Sequence, residues 1–192
     1  MEIINFNSPI FNITNKIEHE IFIFEKKFPD FLFKIPFEKY YFLWDSMSFN
    51  TLKLFQEVVL PLLNNGLCKE AILTSLLPHS NGKELLKFKL DNSDSAEIFN
   101  QTMRYDPIST NESHNIMYST QAPAIYSMDK SWAIVGDSWD TDITVLAINS
   151  ELKQFLPIND FCTIETIEKL LFFVQDENVK TNLLKQIKKN WT

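Results

Sequence analysis

Residues 124–148 read AIYSMDKSWAIVGDSWDTDITVLAI, and the fold turns on them. Three apolar runs rich in β-branched and aromatic residues, Ala124 to Met128, Trp132 to Val135 and Asp142 to Ile148, are separated by Asp129-Lys130 and by the stretch Gly136-Asp137-Ser138-Trp139-Asp140-Thr141. Short runs of this kind, broken by Gly, Asp and Ser, predict three consecutive strands joined by turns. They are apolar at successive positions, so both faces of the meander need a cover, and amphipathic helices are the natural one.

Working outward, Ala71 to Leu77 and Leu85 to Leu90 flank Pro78-His79-Ser80-Asn81-Gly82. The second run alternates apolar residues with Lys, and Asn-Gly suits a tight reversal, so a β-hairpin is expected, although 68–77 also fits a helix. Phe37 to Trp44 (FEKYYFLW) predicts another strand. Helical spacing of Ile17, Ile21, Phe24 and Phe28 predicts a helix over about 14–28, stopped by Pro29. Leu52, Phe55, Val58 and Leu62 predict a second helix, kinked or stopped early by Pro61 and capped by Asn65-Gly66. Asp94 with Glu97 resembles a capping pair for a short helix near 94–104. Two further stripes, Ile164 to Val174 and Val179 to Trp191, predict two C-terminal helices, the last with Lys185, Lys188 and Lys189 at its negative end.

The expectation is therefore one globular domain over 1–192, of class α+β: an antiparallel sheet of hairpin-connected strands packed by amphipathic helices, two of them C-terminal. At 45% apolar and 14% aromatic the chain has ample material for a core. The start, Met1-Glu2-Ile3-Ile4-Asn5, lacks the pattern of a signal peptide, and no apolar run approaches a membrane span of roughly 20 residues, so a cytoplasmic protein with no membrane partner is expected. Cys68 and Cys162 stand outside any CxxC or Cys/His cluster and read as buried free thiols, although the sequence alone leaves a disulfide open.

Charge is unevenly distributed. Residues 91–151 hold ten Asp and Glu against Arg104 and Lys130 alone, so nearly all of the net −7 comes from this third of the chain. Such a field suits a cationic partner. Nucleic acid is disfavoured, because the chain has one Arg and no concentrated basic face.

The patterns that catalysis requires do not appear. Three Gly cannot build a phosphate-cradling or dinucleotide-binding loop, and GxSxG is absent. His19, His79 and His114 fall in three unrelated segments, without zinc spacing. Asp137, Asp140 and Asp142 bracket Trp139, but the calcium-loop pattern fails for want of a central Gly and a closing Glu, and Asp favours turns for its own reasons. No catalytic residue, metal or cofactor is therefore expected. The rival reading is a hydrolase or transferase with a site on the 105–123 loop and His114 as acid or base.

The stretch Ser131-Trp132-Ala133-Ile134-Val135-Gly136-Asp137, followed by Asp142 to Ala147, resembles the Trp-containing hairpin of immunity proteins from bacterial polymorphic toxin systems. The resemblance covers about 17 residues and implies a non-enzymatic acidic inhibitor that binds a cognate toxin, often a basic nuclease, and blocks its active site. Residue chemistry points independently to partner binding. Asp137, Trp139, Asp140 and Asp142 are the expected contacts, with Asp129, Asp106 and Glu112 as outer steering charges, whereas Trp132 reads chiefly as a core residue.

Overall fold

The structure is a computed structural model, and the residues described are 1–24, 26, 28–44, 50–76, 87–104, 122–136, 141–157 and 161–192. In chain order the elements are β1 (Glu2–Ile3), α1 (Pro9–Ile21), β2 (Lys39–Trp44), α2 (Thr51–Leu54), α3 (Leu60–Asn65), β3 (Glu70–Ser75), β4 (Phe88–Asp91), α4 (Ala96–Arg104), β5 (Pro123–Ser127), β6 (Trp132–Gly136), β7 (Ile143–Ile148) and α5 (Glu177–Trp191). The fold is α+β. Seven strands form one antiparallel sheet in the order β1-β4-β3-β5-β6-β7-β2.

The meander lies at the heart of this sheet. Every residue of β5, β6 and β7 is buried, as strands covered on both faces must be. One face presents Tyr41, Leu73, Ile125, Ile134 and Leu146 to the helical stretch 51–65 and to α4. The other presents Phe42, Ile72, Tyr126, Val135 and Val145 to α1, the segment 28–37 and α5. On that second face the Trp191 ring sits among Phe28, Phe31, Phe33, Tyr40 and Phe42, and its indole N–H donates to the Pro29 carbonyl at 3.0 Å.

Several boundaries move from their expected places. The first helix spans 9–21 and not 14–28, because Ser8 caps it, accepting from the Phe11 N–H at 3.4 Å, and Pro9 fits its first turn. Beyond Ile21 the chain is extended and bridges Phe22 to Phe33. Pro61 produces a widened turn: Phe55–Val59 is π-helical, with the Leu60 N–H donating to the Phe55 carbonyl. Pro61 has no N–H to send back to Glu57, and its ring would crowd that carbonyl in a regular α-helix. Ser95, not Asp94, caps α4 by accepting from the Ile98 N–H at 3.2 Å, while Asp94 accepts from the Asp91 N–H at 2.9 Å and pairs with the Met1 amino group.

Strands β3 and β4 pair as the hairpin reading requires, with Leu73 opposite Phe88, and the turn 78–82 lies outside the described residues. Of the two C-terminal stripes, the second is the 15-residue α5, whose Asp176 cap accepts from the N–H groups of Asn178 and Val179. The first closes as a short 3-10 turn at Ile167–Leu170. Its start, Thr163-Ile164-Glu165-Thr166-Ile167, is dense in β-branched residues that lose side-chain freedom in a helix. Both cysteines are free; Cys162 is buried, but Cys68 is partly exposed.

Candidate functional site

Strand β2 forms one edge of the sheet and pairs with β7 along its whole length, Trp44 opposite Ile143. Its outer edge is engaged at Phe42, which exchanges two backbone hydrogen bonds with Cys162, 2.8 and 3.0 Å. Beyond that bridge a pocket of about 280 Å³ opens between the strand end, the helical stretch that begins at Thr51, and the segment around Phe161 and Leu170. Leu43, Trp44, Leu54, Val58, Phe161 and Leu170 give it apolar walls. Asn50, Lys53 and Glu57 supply the polar side.

The helix owes this arrangement to its π turn, which carries both Glu57 and Val58 in the pocket wall. Such turns recur at functional sites. Lys53 and Glu57 form an i,i+4 ion pair at 3.6 Å with side chains 59% and 40% exposed, a pair worth about 0.3–0.5 kcal/mol. At the rim the Trp44 ring lies 5.0 Å from that of Phe172, tilted by 60°. The two residues are 36% and 64% exposed, so the pair presents a large aromatic surface to solvent.

Asp142 belongs to this end of the sheet, since it directly precedes Ile143, the partner of Trp44. It is half-buried and has φ 52°, a left-handed conformation that Asp and Asn tolerate better than other side chains. Asp129 lies in the β5–β6 turn, at the opposite end of β6, about 17 Å away along a strand of that length. Its carboxylate accepts from the Ser131 N–H at 3.1 Å and the Ser131 hydroxyl at 2.7 Å. Burial would raise this carboxyl, but hydrogen bonds from Ser131, Ser127 and the Cys68 backbone together hold it below its ordinary value. Its observed work is to shape a turn in which Lys130 adopts φ 62° and pairs with Glu20.

Asp137, Trp139, Asp140, Asp106 and Glu112 lie outside the described residues, as do His79 and His114. The residues that flank their segments, Gly136 and Thr141 for one and Ala122 for another, are at the Trp44 end of the sheet. Trp132 is fully buried on the sheet, as its core reading requires, and its indole N–H has no hydrogen-bond partner among the described residues. His19 is exposed, and its ring lies 4.6 Å from that of Phe24, tilted by 37°. Among the described residues no three His, Cys, Asp or Glu side chains are grouped to hold a metal ion, and no helix is long and apolar enough to cross a membrane.

Trp44, Phe172, Lys53 and Glu57 did not stand out in the sequence. The available signal was Phe172, an aromatic residue that falls off the Ile164 to Val174 stripe. A second unforeseen group is Lys87, which alternation puts on an outer face and which is in fact buried beneath α1 against Glu18. No protein-family model matches the chain, and neither a similar curated protein nor a similar solved structure was found. The molecule is thus defined by its own fold and site: an α+β protein with an aromatic-rimmed pocket at a sheet edge.

Proposed function

We propose that this chain is a non-enzymatic protein-binding module that docks a basic protein at the Trp44 end of its sheet and acts as an immunity-type inhibitor. The observation that carries the reading is the exposed Trp44–Phe172 pair, beside a pocket and at the same sheet end as Asp142. Aromatic anchors next to a cavity are the usual core of a protein interface, and acidic side chains around them raise the rate at which a cationic partner arrives. The acidic third of the chain and its resemblance to immunity proteins agree with such a partner. Asp137, Trp139 and Asp140 remain proposed contacts beside Asp142, with Asp106 and Glu112 as steering charges.

The test is co-expression with the product of the gene immediately upstream. Protection of the host from that product, lost in a folded Trp44→Ala/Phe172→Ala variant, is the expected result. A chain that neither binds nor neutralises it overturns the inhibitor reading.

A further inference from the structure

The pocket's size and walls specify what the partner brings to it. We infer that it receives a single arginine side chain from the basic partner, with the aliphatic stem against the apolar walls and the guanidinium between Glu57 and the Trp44 ring. This rests on the docking reading above. A volume of about 280 Å³ accommodates one long side chain. Leu43, Leu54 and Val58 offer a surface for methylene groups, while Trp44, 36% exposed, brings an aromatic ring to the same pocket.

The charge arrangement selects the end group. A wholly apolar anchor would have to cover Lys53 and Glu57 and strip water from both. A guanidinium instead takes the place of the Lys53 ammonium on the Glu57 carboxylate, and the displaced pair is an exposed one that holds little energy. Arginine suits the site better than lysine because its planar, weakly hydrated head stacks on an aromatic ring and bonds a carboxylate through two parallel N–H groups. The net −7 of the chain and Asp142 at the same sheet end add to the attraction.

Lys53 is then a competitor for Glu57, so the two residues should respond in opposite directions. The probe is the blocked peptide Gly-Gly-Arg-Gly-Gly, compared with the same peptide carrying neutral citrulline, titrated into the full chain while the NMR signals of Trp44 and Phe172 are followed. The arginine peptide should shift those signals and the citrulline peptide should not. Affinity should fall about fivefold in Glu57→Gln and rise about twofold in Lys53→Gln, substitutions at one half-buried and one exposed position that leave the fold intact. It should fall about tenfold in Trp44→Ala.

Equal binding of the two peptides, or weaker binding in Lys53→Gln, overturns the assignment. If the basic partner still docks through Trp44 and Phe172 while Glu57→Gln changes nothing and the peptide leaves Trp44 unmoved, the arginine assignment fails and the docking reading stands. If the peptide binds as described but no basic protein does, the docking reading fails instead.

Discussion

The Nζ of Lys87 lies 2.7 Å from Oε2 of Glu18, and both side chains are shut off from solvent between α1 and the sheet. Lys87 also donates to Asn15 Oδ1 and, at 3.4 Å, to Thr14 Oγ1, while the Tyr126 hydroxyl donates to Glu18 Oε1 at 2.9 Å. The network is well satisfied, so its importance lies in what happens when one member is removed. Lys87→Met or Glu18→Gln leaves a charge in the core without its counterpart, and each should cost about 3–5 kcal/mol in urea unfolding. The double variant Lys87→Met/Glu18→Met should lose much less than the sum of the two. Strict additivity would show that the two groups do not act as a pair.

The same cluster gives the fold a dependence on alkaline pH. Burial, and after it the Glu18 carboxylate, push the Tyr126 phenol far above its ordinary 10.0. Above that value the unfolded chain releases a proton that the folded chain keeps, so stability falls with rising pH, by about 1.4 kcal/mol per unit for this one group. Burial lowers Lys87 against the opposing pull of Glu18, which makes stability rise with pH just below 10.5, but that contribution is common to wild type and Tyr126→Phe. Tyr126→Phe should be less stable at neutral pH, having lost a buried hydrogen bond, and its deficit should shrink above about pH 10. A deficit that is constant from about pH 8 to about pH 11 would rule out a raised phenol.

Which of these features can be seen in the sequence depends on how far apart the cooperating residues are. The β5–β7 meander is legible because each strand is completed by its neighbour across a short turn, and α5 is legible because its cap, stripe and lysines all lie within one segment. The position of β2 outside β7 is not, since about a hundred residues separate Trp44 from Ile143 and nothing local selects that pairing. The burial of Lys87 is not legible for a related reason: alternation tells which residues share a face, but not that α1 covers the face that would otherwise meet water. The pocket draws Trp44, Glu57 and Leu170 from three separate segments, so only the assembled fold brings it into being.

Gly66 ends the α3 helix with φ −68°, so its role is not a left-handed cap. A Cβ built there would fall 2.7 Å from the Leu62 carbonyl oxygen, to which the Gly66 N–H donates at 2.8 Å. Both atoms belong to backbone and have little room to yield. Gly66→Ala should therefore destabilise the fold by about 1–3 kcal/mol despite the higher helix propensity of Ala, and a rise in melting temperature would contradict the steric account.

Asp129 and Asp142 come from the same acidic stretch yet stand at opposite ends of β6, which allows the docking surface to be located by a matched pair of variants. Asn is the appropriate replacement at both positions. It removes the charge, tolerates φ 52° at position 142, and retains an oxygen acceptor for Ser131 at position 129. If the partner arrives at the Trp44 end, Asp142→Asn should slow association with a basic partner by about two- to fivefold at low salt, with less effect as salt is raised, because the charge acts on the approach. Asp129→Asn should leave the association rate unchanged and instead lower stability by about 0.5–1.5 kcal/mol, since it weakens bonds within a turn. Stopped-flow association at two ionic strengths, together with urea unfolding of both variants, separates the effects. The opposite ranking of the two association rates would move the docking surface to the β5–β6 turn.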